Sequence, residues 1–328
     1  MRFGTTLAGS YPKLPIRAGD VNLRVVKNRR DQGNATEKDV LDAVRETTRR
    51  VLDLEERAGL DLLMDGGAAW DDAQTYVARG LEGIKIAGLI RYLDTNTYYR
   101  QPEIVGAVSW KSPITVDDYR AAKGMTSRPV KAFLPGPYSL YRFSKDLHYG
   151  DPVRACAAIG EALAREAAAL EEAGAPWIHF EEPWLGHARP EEADAVRAAL
   201  TPVLAGRTAR TVVHVPFRAP TAIFPAIRDL PWNTLGIDLV EAPAGWDLIP
   251  QIPEGRGVAL GLIDARNTRL EESAEVARQA SRAAGLRPDL HYQITPTASL
   301  EYLPADKAEA KIGRLVESAR LAGKGAAR

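Results

Sequence analysis

Eight short apolar runs recur along the chain, each followed by a helical stretch or a long excursion: FGTTLAG, LDLLMD, VKAFLPG, WIHFEEP, TVVHVP, TLGIDLVE, GVALGLID and HYQITP. Runs of this length, rich in β-branched residues and bounded by glycine, proline or acidic residues, read as strands covered on both faces. Parallel strands need crossovers of a dozen or more residues, usually helices. Eight such units in 328 residues predict an α/β fold, a (β/α)8 TIM barrel forming one domain over residues 1–328. The excursion after the second run contains YLDTNTYYRQPEIVGAVSW, whose alternation and aromatic residues predict a β-hairpin inserted over the barrel mouth. A doubly wound open sheet is the alternative, but no Gly-rich phosphate loop follows the first strand.

The helices between the runs carry start and stop signals. Thr36 with Asp39 resembles a capping box, Asp151-Pro152 pairs an N-cap with proline at the first helical position, and Pro304 stands where the last helix opens. Gly59 and Gly174 close two long helices just before a strand.

Composition narrows the class of partner. The 43 basic and 43 acidic residues balance, leaving no electrostatic footprint for nucleic acid or an anionic membrane. No apolar run approaches the roughly 20 residues that span a bilayer, and MRFGTTLAGS lacks the layout of a signal peptide, so a cytoplasmic protein acting on a small molecule is expected. The single cysteine, Cys156, sits in an Ala-rich helical stretch, which excludes a disulfide framework and a cysteine-rich metal cage.

In a barrel of this type the chemistry sits at the carboxyl ends of the strands, and the polar residues collect there. In chain order they are Ser10 and Tyr11, Asp65, His179 with Glu181 and Glu182, His214, Asp238 and Glu241, and Asp264 with Arg266. Buried carboxylates are costly unless paired, hydrogen-bonded or bound to a cation, so their convergence on one face points to an active site. Each also has a plainer reading: His214 as a hydrogen-bonded core histidine, and Glu181 and Glu182 as helix caps or partners of arginine.

TTLAGSYP, GLDLLMDGG, VKAFLPGPYSL, AGAPWIHFEEP, TVVHV, IDLVEAP, GLIDARNTRLEE and ITPTASLEYLP resemble, in order, the motifs of the catalytic barrel of cobalamin-independent methionine synthase. The resemblance covers nearly the whole chain and is to the short, single-barrel form within the uroporphyrinogen decarboxylase-like superfamily. It implies a zinc ion that binds homocysteine and presents its thiolate to a methyl donor, since a free thiol, with a pKa near 8.5, is mostly protonated at neutral pH. Of the four ligands it implies, the histidine matches His214 and the glutamate matches Glu241, while the two cysteine positions are Pro216 and Ala298. The family's DGE motif reads DGG, with Gly67 in place of the glutamate, and the aspartate of its IDEP motif is Glu181. A rewired set of His179, Glu181, His214 and Glu241 would suit zinc, iron or manganese, because His179 and Glu181 share one side of a strand.

The resemblance implies methyl transfer from a methyl-folate or a methyl-corrinoid to a thiol such as homocysteine or to an altered acceptor. His214, Glu241 and Glu181 are the expected catalytic residues. Ser10, Tyr11, Asp65, Glu182, Asp264 and Arg266 are the expected substrate contacts. A corrinoid protein and a second copy of the chain are the macromolecular partners compatible with this reading. A metal-free lyase or decarboxylase of the same superfamily, and a metabolite-binding barrel without catalysis, are the alternatives.

Overall fold

The structure, a computed structural model, describes residues 2–15, 17 and 19–325. Its strands are β1 (Gly4–Thr5), β2 (Leu81–Arg91), β3 (Tyr98–Trp110), β4 (Ala132–Pro135), β5 (Lys145–Asp146), β6 (Trp177–Glu181), β7 (Arg210–Val215), β8 (Thr234–Asp238), β9 (Gly257–Ile263) and β10 (His291–Pro296). Seven of them form one parallel sheet in the order β1-β10-β9-β8-β7-β6-β4. The sheet curls, and helices cover its outer face. β4, β8 and β9 are buried at every position, and β4 and β9 are apolar throughout, as strands covered on both faces are.

The second apolar run behaves differently from the others. LDLLMD forms two single parallel bridges, Thr6 with Leu62 and Leu63 with Val130, so it links the two edges of the curled sheet without a ladder of its own. Asp65 accepts a hydrogen bond from the Gly67 amide at 2.9 Å, and Gly66 and Gly67 both take positive φ (+70° and +61°). This turn carries the chain away from the sheet directly after Met64 and ends the strand early.

β2 and β3 pair antiparallel, from Leu81 opposite Trp110 to Arg91 opposite Tyr98. The first limb of this antiparallel pair, LEGIKIAGLIR, lies upstream of the aromatic stretch. β5 adds a short parallel edge to β3.

The helix signals hold in detail. Thr36 and Asp39 form a reciprocal capping box at the start of helix Glu37–Ala58, which ends at Gly59 with φ +88°. The Asp151 carboxylate accepts from the amides of Val153 and Arg154 at the start of helix Pro152–Glu172, and Gly174 follows that helix with φ +87°. Helix Ala305–Gly325 begins directly after Pro304. Among the described residues no helix is long and apolar enough to cross a membrane.

Candidate active site

Alternation along β6 places His179 and Glu181 on the inner side of the sheet and Ile178 and Phe180 toward the helices. His214 on β7 is the register partner of Glu181. Its ring lies against Gly236 on β8, where a Cβ would come within 2.3 Å of an imidazole carbon. Glycine at that position is what lets the imidazole occupy the interior.

His179, His214 and Lys131 make a buried basic group below the strand ends. The two imidazole rings are 5.1 Å apart. The Lys131 ammonium donates to the Leu7 carbonyl at 2.6 Å and lies 3.4 Å from His179 Nδ1. Burial pulls Lys131 down to about 7. Burial and the nearby Lys131 hold His214 at about 3 and push His179 well below its ordinary value. Both imidazoles are therefore neutral at physiological pH, and His179 Nε2 and both ring nitrogens of His214 have no hydrogen-bond partner.

Above them lies a small pocket of about 60 Å³, bordered by Ser10, Asp71, Asp72, Gln74, Phe133, Glu181, Ser299, Glu301, Tyr302 and, from the turn between β2 and β3 and the first residue of β3, Tyr92, Thr97 and Tyr98. Four of these residues are acidic, and no lysine, arginine or histidine is among the lining residues. Glu181 is 4% exposed, and burial, with the nearby Glu301, raises its carboxyl to about 8. Its Oε1 has no partner, and neither does Oε1 of Gln74, which is 2% exposed. Burial raises Glu301 and Asp72 as well. Asp72 accepts from the amide and hydroxyl of Thr75, both at 2.6 Å, and so caps helix Ala73–Arg79.

Of the residues expected from sequence, Ser10 and Glu181 line this pocket. The others have different positions. Glu182 accepts from the amides of Tyr138 and Ser139 at 3.0 and 2.7 Å and so holds the start of helix Pro137–Phe143, with burial raising it to about 7. Asp65 closes the glycine turn, and its carboxyl is raised to about 6 by burial. The Tyr11 phenol is buried without a partner. Asp264 borders a separate groove of about 520 Å³. Arg266 bonds Glu241 at 2.9 Å and reaches Asp94 at 3.4 Å, tying the turn of the hairpin to the loop after β8.

The residues present do not fit a zinc ion. Pro216 and Ala298 are both buried and offer no donor. Glu241 lies beyond the end of β8, exposed and engaged by Arg266. The rewired set of His179, Glu181, His214 and Glu241 is not assembled, because Arg266 holds Glu241 away from the buried pair of imidazoles. Among the described residues no three His, Cys, Asp or Glu side chains are placed to hold a metal ion. Lys131 Nζ already lies 3.4 Å from His179 Nδ1.

The family model for the catalytic domain of cobalamin-independent synthases matches residues 3–321. The chain belongs to that family. Within the cobalamin-independent synthases, it is 24% identical over 319 residues to the methionine synthase of Saccharolobus solfataricus, covering 97% of this chain and 94% of that protein. It is 26% identical over 326 residues to the methionine synthase of Sulfurisphaera tokodaii, covering 97% and 91%. A B12-independent methionine synthase from Shewanella sp. W3-18-1, solved with selenomethionine, superposes with a TM-score of 0.85 at 22% identity, covering 100% of this chain and 99% of that one. A putative vitamin-B12-independent methionine synthase from Listeria monocytogenes gives 0.76 at 13% identity, covering 99% of each chain. These likenesses place the chain among the methionine-synthase-like methyltransferases with a TIM-barrel-type fold.

Sequence reasoning missed most of the pocket wall. Asp72 and Gln74 follow the glycine turn, and Glu301 follows the last strand in a motif already singled out for its missing cysteine. Lys131 had a readable signal, since a lysine at an inward position of an apolar strand is a buried amine. Tyr92 and Tyr98 reach the site only because the hairpin folds over it, which no local pattern reveals.

Proposed function

We propose that the chain is a methyltransferase that binds a small acceptor carrying a protonated amine, and that Glu181, not a zinc ion, removes the proton from the acceptor's nucleophile. The observation that carries this reading is the pair of buried acceptor atoms without partners, Glu181 Oε1 and Gln74 Oε1, at a pocket walled by further carboxylates. Buried acceptors are normally satisfied, so the ligand that completes them brings hydrogen-bond donors. An ammonium and a thiol supply them.

In the proposed reaction the Glu181 carboxylate takes the thiol proton and the sulfur attacks the methyl carbon of a methyl-folate. The donor's carbon–nitrogen bond breaks with its electrons going to nitrogen, and that nitrogen receives the proton. A carboxyl near 8 is matched to a thiol near 8.5, which is the condition for efficient general-base catalysis. Asp72, Glu301 and Gln74 hold the ammonium, and Ser10 orients the acceptor. The same reading takes the bridges through Leu62 and Leu63 as closing an eight-stranded (β/α)8 barrel in one domain, with the β2–β3 hairpin as an insertion that roofs the pocket.

The test is transfer of a labelled methyl group from 5-methyltetrahydrofolate to short aminothiols in buffer containing a metal chelator. Transfer that persists with chelator and falls at least about a hundredfold in Glu181→Gln supports the reading. Transfer abolished by the chelator and restored by zinc overturns it.

A further inference from the structure

The charge of the pocket constrains the acceptor more than its family does. An α-amino acid brings a carboxylate next to its ammonium, and that carboxylate needs donors or a cation. The lining residues Asp71, Asp72, Glu181 and Glu301 offer the opposite. The two lysines close to them lie outside the lining and are already engaged: Lys27 pairs with Asp71 at 2.7 Å, and Lys13 donates to the Trp70 carbonyl and sits 4.0 Å from Glu301.

Backbone donors at this edge are also committed. The Ser10 amide donates to the Ser299 hydroxyl at 2.9 Å, the Tyr11 amide to the Gly66 carbonyl at 3.0 Å, the Gly67 amide to Asp65 at 2.9 Å, and the Glu301 amide to the Ser10 carbonyl at 3.2 Å. Among the buried side-chain atoms of the lining, those without a partner are Glu181 Oε1 and Gln74 Oε1. The Gln74 amide hydrogen-bonds the Tyr92 phenol, which leaves its oxygen free for the ligand.

We infer that the pocket takes a primary amine without a carboxylate beside the nitrogen, of the aminothiol class, in preference to an α-amino acid. The inference rests on the reading of this pocket as an amine site and adds the exclusion of the carboxylate. A carboxylate placed against Asp72 and Glu301 in a site with little water is strongly disfavoured.

Three probes separate the two claims: homocysteine, 3-mercaptopropylamine, which is homocysteine without its carboxylate, and 4-mercaptobutyrate, which is homocysteine without its amine. Each is titrated calorimetrically into the intact chain at pH 7.5 under reducing conditions. The expected order is 3-mercaptopropylamine at least about tenfold tighter than homocysteine, with 4-mercaptobutyrate not binding. Homocysteine equal to or tighter than 3-mercaptopropylamine overturns the exclusion and leaves the amine site standing. Failure of both amines to bind, or binding of 4-mercaptobutyrate as tight as theirs, overturns both. In Glu301→Gln, which removes one wall carboxylate, the preference for the amine over homocysteine shrinks by at least about threefold. An unchanged preference in that variant removes Glu301 from the explanation and counts against the charge argument.

Discussion

Glu181→Gln should make the folded chain more stable at neutral and alkaline pH, by an amount that grows with pH. The wild-type carboxyl is raised from 4.5 to about 8, chiefly by burial and then by Glu301. Below pH 4.5 the group is protonated in both the folded and the unfolded chain and contributes no pH dependence. Between 4.5 and 8 the unfolded chain releases the proton and the folded chain keeps it, so wild-type stability falls as pH rises. The slope is about 1.4 kcal/mol per pH unit, which gives roughly 3 kcal/mol at pH 7 and about 5 kcal/mol at pH 8 as upper bounds, because relaxation and water entry soften the burial cost. Glutamine is neutral throughout and nearly isosteric, so the variant lacks this loss. Urea unfolding of both proteins from pH 5 to 9 isolates the difference, since groups common to the two cancel. It should be small at pH 5, climb to pH 8 and then level off. A difference that stays constant within about 0.5 kcal/mol over the range, small beside the slope expected from linkage, would refute the assignment of Glu181 as a buried carboxyl without a counter-ion.

Lys131 should show the opposite sign: its amine is lowered from 10.5 to about 7 by burial, so wild-type stability relative to Lys131→Met rises with pH across that window, and a flat difference from pH 7 to 10 in urea unfolding would contradict it. Gly67→Glu, which supplies the carboxylate implied by the family resemblance, should destabilise by about 1–2 kcal/mol in thermal unfolding, because Gly67 has φ +61° and a Cβ there would lie 2.8 Å from Ser10 Oγ; an unchanged melting temperature would argue against that backbone. Arg266→Ala should cost less than about 1 kcal/mol globally yet speed amide exchange in residues 92–98, since Arg266 ties Asp94 to Glu241; unchanged exchange there would show that the hairpin turn is held by other contacts.

The fold was largely readable because its signals are local. Period, caps and glycines report on neighbours within a few residues, and Thr36 with Asp39, Asp151 and Gly59 all act as their types suggest. The weak second strand is a matter of degree. LDLLMD has the apolar content of a strand, but the left-handed pair Gly66-Gly67 turns the chain away before a ladder forms. The site was readable only in part, because position at a strand end does not say which void a side chain faces. Glu181 and Glu182 are adjacent, yet alternation sends one to the pocket and the other to the amides of Tyr138 and Ser139. Glu241 has the right residue type at the matching position, yet Arg266 holds it at the surface.

The substitutions at Pro216 and Ala298 and the environment of Glu181 form one chemical argument. In the family chemistry that the resemblance implies, zinc lowers the thiol's proton affinity so that a thiolate persists at neutral pH. Without thiolate ligands the alternative is to leave the thiol near its ordinary value and raise a base to meet it. A carboxyl at about 8 and a thiol near 8.5 differ by about 0.7 kcal/mol in proton affinity, so transfer between them is nearly balanced. A base of this kind works only once it is ionised, so methyl transfer should rise with pH up to about 8. A cationic acceptor shifts that limit: bound beside Glu181 it favours the ionised carboxylate, lowers the pH at which the base is ready, and thereby couples recognition of the amine to activation of the thiol.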